Sequence, residues 1–133
     1  MSYKTLFKEL ETQIQQAYTE GVTVDEAERL AGKTLHAQIM ASQELQAKDL
    51  DSRMRKSGLK AVRAAVYMDE VSKADKKPTE SALDHLLSCN EMVVKEQDGY
   101  DMAETQRDEL ERQYNILKEA HIFFRGVAKG RFE

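Results

Sequence analysis

Pro78 is the single proline in a chain of 133 residues. Proline stops a helix more strongly than any other residue, because it has no backbone N–H and its ring clashes with the carbonyl four residues back. A chain with one of them is free to run in long helices on either side. Six glycines, no tryptophan, 7% aromatic and 33% charged residues point the same way, to an all-α fold and away from a turn-rich sandwich or barrel. The length gives room for one helical domain, 1–133, and excludes most multidomain enzymes.

The apolar spacing divides that domain. Tyr3, Phe7, Leu10, Ile14 and Ala17 fall at alternating steps of four and three, one face of an N-terminal helix over 1–20. Gly21 ends it, and Thr23 with Glu26 forms a capping box in which each side chain bonds the other's backbone N–H. A second helix is expected over 23–75, with Val24, Ala27, Ala31, Leu35, Ile39 or Gln38, Ser42 and Leu45 on its apolar side and, between Lys48 and Ala74, Gly58 as the one breaker. Lys76-Lys77-Pro78-Thr79 is the linker, since proline disfavours helix in the residue before it and Thr79 caps the next helix. A long C-terminal helix then covers 79–129, first through Leu83, Leu86, Asn90, Val93, Gln97 and Tyr100. It continues at steps of seven through Ala103, Leu110, Leu117 and Phe124, with Gly99 as a point of division. The architecture expected is an elongated helical bundle or hairpin of amphipathic helices. Hydrophobic residues make up 41% but are scattered singly, so a thin core and a homo-oligomer are expected.

No apolar run of 18 residues exists, so no membrane span is expected, and the first residues lack the apolar stretch of a signal peptide. With one cysteine, Cys89, no internal disulfide is available, which fits a cytoplasmic chain.

Charge is distributed unevenly. The total is −4, but residues 53–77 carry 8 basic and 3 acidic side chains, whereas 78–117 carry 3 and 10. A local positive field can therefore exist on an acidic chain. Within the basic stretch, Arg53, Lys56, Lys60, Arg63 and Tyr67 step by three, four, three and four, with Arg55 beside them. Cations about 5–6 Å apart along a helix can follow a phosphodiester backbone, and a tyrosine among them offers a base a stacking surface. That is an arrangement for binding single-stranded DNA. A second patch, Lys118, His121, Arg125, Lys129 and Arg131, either extends this surface or complements a helix C-terminus. Phe123 and Phe124 are adjacent and cannot share a face, so one is expected in the core and the other against a neighbouring subunit.

Other chemistry finds little support. His85 and Cys89, four apart, are half a zinc site, and neither a metal nor another cofactor is expected. No phosphate-cradling loop is present, and no carboxylate is isolated as a general acid from a partner base, so the chain is expected not to be an enzyme.

The segment Leu59-Lys60-Ala61-Val62-Arg63-Ala64-Ala65-Val66-Tyr67 resembles the lysine–arginine–tyrosine segment of the UvsY-type recombination mediators of tailed phages, with Val62 added and one tyrosine where that family shows a pair. The resemblance extends in outline over residues 24–131. It implies a ring-like oligomer on single-stranded DNA that remodels the single-strand-binding protein and loads a RecA-like recombinase. Lys60 and Arg63 would then contact phosphates, Tyr67 a base, and Arg53, Arg55 and Lys56 would widen the footprint. The Leu110–Leu117–Phe124 seam would assemble the oligomer. The rival expectation is an oligomeric helical adaptor for another protein, its basic face spent on an acidic partner or on its own segment 78–117; a weaker one is an inhibitor that occupies a nucleic-acid-binding protein.

Overall fold

The computed structural model describes residues 2–130. Four helices account for nearly all of them: α1 Tyr3–Glu20, α2 Val24–Lys73, α3 Glu80–Cys89 and α4 Glu91–Ala128, with no strand among the described residues. The chain forms two compact units, Met1–Gln46 with Asp108–Glu133, and Ala47–Arg107.

In the first unit, the Ser2 hydroxyl caps α1 by accepting from Thr5 N, and Tyr3, Phe7, Leu10, Ile14 and Ala17 are all buried, as their spacing requires. The helix stops at Gly21, whose φ of 84° is open to glycine at no steric cost and whose N–H donates to the Ala17 carbonyl. Thr23 then accepts from Glu26 N at 3.2 Å. The reciprocal half of the box is missing, because the Glu26 carboxylate turns to Arg29 at 2.7 Å.

The inward face of α2 differs from the expectation. Ala27, Leu30, Thr34, Ala37 and Ala41 are buried, while Val24, Leu35 and Ile39 are exposed, Ile39 by 52%. Successive steps of four rotate about 40° each at roughly 100° per residue, so the row from Ala27 through Ala31 and Leu35 to Ile39 walks off the core. Alternating three and four stays on it. The buried residues are small, and Thr34 satisfies its hydroxyl by donating to the Leu30 carbonyl at 2.8 Å.

Leu117, Ala120 and Phe124 of α4 complete this core with no exposed surface. Fully burying a side chain of the size of Phe124 stabilises by about 1.5–3 kcal/mol. Tyr18 meets Phe123 edge-on at 5.0 Å, and Phe123 meets Phe124 at 5.4 Å. Polar bonds fix the register: Tyr3 donates to Gln113 Oε1 at 2.7 Å, and His121 Nδ1 lies 2.9 Å from the Ala31 carbonyl, which can only accept, so that nitrogen carries the proton. Burial, aided by Glu109 and Glu44, pushes the Tyr3 phenol up to about 12.

The second unit has a smaller core of Leu59, Val66, Leu87 and Val93, against which Val62 and Tyr100 pack. Lys48 bonds Gln106 at 3.0 Å and Arg107 approaches Asp49 at 3.9 Å, joining α2 to α4 here. Helix α2 runs unbroken through Gly58. Thr79 caps α3 by accepting from Ala82 N, and inside α3 the buried pair is Leu83 and Leu87, with Leu86 exposed.

The helix expected over 79–129 is two helices, divided at Asn90 and continuous through Gly99. Asn90 Oδ1 accepts from Met92 N at 3.0 Å and Val93 N at 3.2 Å, giving the backbone an alternative to the helical ladder. An internal glycine costs only about 1 kcal/mol and offers no such alternative.

Candidate nucleic-acid interface

The cation row lies on the α2 segment of the second unit. Leu59 and Val66 turn into that unit's core and Val62 packs against it, which leaves Arg53, Lys56, Lys60 and Tyr67 exposed beside the buried seam and Arg63 half-buried at its edge. Ala65 and Met54 of the same helix are exposed.

Which charges face the row decides what it can do. Arg53 pairs with Asp49 at 3.0 Å and Arg55 with Asp51 at 3.7 Å, each acid lying one turn earlier on the same helix. Among the described residues, Lys56, Lys60 and Arg63 make no ion pair within 4 Å, and no carboxylate of α3 or α4 pairs with any cation of the row. Glu96 comes close to α2, but it does so at Gly58, where a β-carbon would lie 3.8 Å from its Oε2. Arg55 is turned away from the row: its Nη1 would stand 2.8 Å from a β-carbon at Gly99. The bare backbone of Gly99 is what makes room for that guanidinium.

Arg63 lines a cleft of about 190 Å³ together with Ser88, Val93, Val94, Gln97 and Asp98. Sequence reasoning placed Gln97 on a helix seam and missed Ser88 and Asp98, since no spacing links residues on three different helices. It also missed an uncharged stripe on α2. Leu50, Met54, Ser57, Ala61, Ala64 and Met68 step by four, three, four, three and four, and all are exposed, Met54 by 65% and Met68 by 66%. The signal was available as the absence of charge at helical spacing.

The remaining candidates belong to the first unit. Arg125 and Lys129 are exposed at the end of α4, while Arg131 lies outside the described residues. Leu117 and Phe124 are fully buried in the chain's own core, and Leu110 and Phe123 are half-buried against it. The seven-residue seam thus holds the chain together, and its Leu117 and Phe124 have no surface left for a second copy. Phe123 and Phe124 both join that core, because a half-exposed Phe123 reaches Tyr18 with its edge.

His85 Nε2 and Cys89 Sγ stand 3.8 Å apart on α3, and no group of three metal-ligating side chains gathers among the described residues. No helix there is long and apolar enough to cross a membrane. Comparison with protein-family models, with curated proteins and with solved structures finds no match to this chain.

Proposed function

We propose that this chain is a sequence-independent single-stranded-DNA-binding accessory protein of recombination. Phosphates lie along Arg53, Lys56, Lys60 and Arg63, and Tyr67 stacks on a base. The observation that carries the reading is the exposure of Arg53, Lys56, Lys60 and Tyr67 beside a half-buried Arg63, with Lys56, Lys60 and Arg63 unpaired among the described residues. Self-neutralisation by the acidic helices would have left no field for a strand.

From Arg53 to Arg63 the row covers roughly 15 Å at about 1.5 Å per residue, so one copy engages a few nucleotides. Four neutralised phosphates on a single strand give a salt slope of about −3. Such a contact is weak alone, and several copies on one strand gain through effective concentration without new contacts. That is why a homo-oligomer belongs to the proposal. The further step, remodelling a single-strand-binding protein and loading a RecA-like recombinase, rests on the likeness of residues 59–67 to the UvsY-type segment. No bond is made or broken in it.

Fluorescence anisotropy of a labelled dT oligonucleotide, titrated between about 50 and 200 mM salt, tests the reading. Binding that weakens with the expected slope, and is lost in Lys60→Ala/Arg63→Ala, supports it. Absence of binding at low salt and micromolar protein overturns it.

The uncharged stripe of Leu50, Met54, Ser57, Ala61, Ala64 and Met68 favours a second reading, an oligomeric helical adaptor that seats a helix of another protein or of a second copy there. In that case Met54→Glu/Met68→Glu abolishes association in sedimentation velocity while oligonucleotide binding by the wild type is absent.

A further inference from the structure

We propose that the cleft beside Arg63 receives one nucleobase turned out of the bound strand, and that its chemistry favours guanine. This rests on the single-strand reading above and adds to it one base-selective position within an otherwise indifferent footprint.

The cleft measures about 190 Å³, below the roughly 300–1,000 Å³ of sites that enclose a drug-sized ligand. It holds a ring system and leaves the sugar and phosphate outside. Val93 is buried at the cleft and Val94 is exposed there, so Val94 supplies the apolar surface against which a planar ring can lie. The rim is polar and its hydrogen-bonding capacity is unequally spent. Ser88 donates its hydroxyl to the Asp84 carbonyl at 2.8 Å, and Gln97 Nε2 donates to Asp101 Oδ1 at 3.0 Å. What remains to a ligand are mostly acceptors, the Ser88 oxygen, Gln97 Oε1 and the Asp98 carboxylate, opposed by the Arg63 guanidinium and the second N–H of Gln97 Nε2.

Arg63 and Asp98 line the same cleft, yet among the described residues neither makes an ion pair within 4 Å. Two opposite charges that line one cleft without pairing to each other favour a ligand with acceptors on one edge and donors on the next. Guanine has that pattern: O6 and N7 match an arginine fork, and the adjacent N1–H and N2–H₂ match the two oxygens of a carboxylate. Thymine offers a single N–H flanked by carbonyls, and adenine and cytosine each put a bare ring nitrogen beside their amino group, where it would face the carboxylate. Because Arg63 also closes the phosphate row, a base entering here stays connected to a strand lying on Lys60 and Lys56.

The test uses the full chain and labelled dT oligonucleotides in which one central residue is dT, dA, dG or deoxyinosine, the last having guanine's N1–H but no N2 amine. The dG oligonucleotide should bind about five- to tenfold more tightly than the dT and dA forms, and deoxyinosine should lose most of that gain. Asp98→Asn, checked for unchanged helix content by circular dichroism, should bind all four alike. Salt-dependent binding with no preference among the four overturns the cleft assignment and leaves the strand reading standing. A guanine preference that persists in Asp98→Asn also overturns it. Failure of every oligonucleotide to bind overturns both.

Discussion

The two units use the same building material for different ends. In the first, twelve buried residues from α1, α2 and α4 form one core, closed by the Tyr18–Phe123–Phe124 aromatic contacts. In the second, the packed cluster is Leu59, Val66, Leu87 and Val93, with Leu83 and Ala103 buried outside it, and the outward surface carries the cation row and the cleft. Stability and surface chemistry make separable demands on a helix. A row of cations needs only that its helix stay straight and that one edge of it be anchored, whereas a core must exclude water on all sides.

The contrast can be broken by experiment, and the largest effect should come from the first unit. Phe124→Ala removes a side chain with no exposed surface and should cost about 3–5 kcal/mol in urea unfolding. Amide exchange should rise first in α1 and the C-terminal part of α4. Leu87→Ala opens the smaller core of the second unit, where Leu87 keeps slight exposure; a cost of about 2–3 kcal/mol is expected, with exchange rising first in α3. If both variants raise exchange evenly over the whole chain, the units unfold as one and the contrast fails.

Asn90→Ala leaves two amides at the start of α4 without their acceptor and should cost about 1 kcal/mol. Here Asn90→Asp should restore the cap, which separates a capping role from side-chain packing. The smallest effect concerns acid. Bonds from Arg112, then Gln113, hold the Glu109 carboxyl at about 2, below its ordinary 4.5. A depressed carboxyl contributes stability that is complete above pH 4.5 and is lost as pH falls toward 2. Because the pair is exposed, the loss should stay well under about 1 kcal/mol, and Glu109→Gln should flatten that part of the pH profile.

How legible these features were depended on how local their causes are. The face of α1, the stop at Gly21 and the cap at Thr79 each depend on residues within a few positions of one another, and each stands as read. The face of α2 was misread because small residues pack as well as large ones when helices approach closely: Ala37 and Ala41 are in the core while the larger Leu35 and Ile39 are not. Asn90 was read as a seam residue because spacing alone does not distinguish a polar side chain facing a partner from one capping its own backbone. The steps of seven from Ala103 to Phe124 marked a packed face, but periodicity does not say whether the other half comes from the same chain. For the cation row, spacing gave its alignment, and only the fold shows that its pairing acids come from its own helix.

The cap at Asn90 bears on how much the length of the chain can vary. Within a continuous helix, one added residue turns everything beyond it by about 100° and moves every buried side chain off its face. Asn90 ends one helical phase and begins another, so a residue gained or lost between Ala74 and Thr79 shifts only the ten residues of α3 and leaves the phase of α4, from Val93 to Phe124, untouched. The linker and α3 together act as a slack coupling, the stretch of this chain in which insertions and deletions can be absorbed.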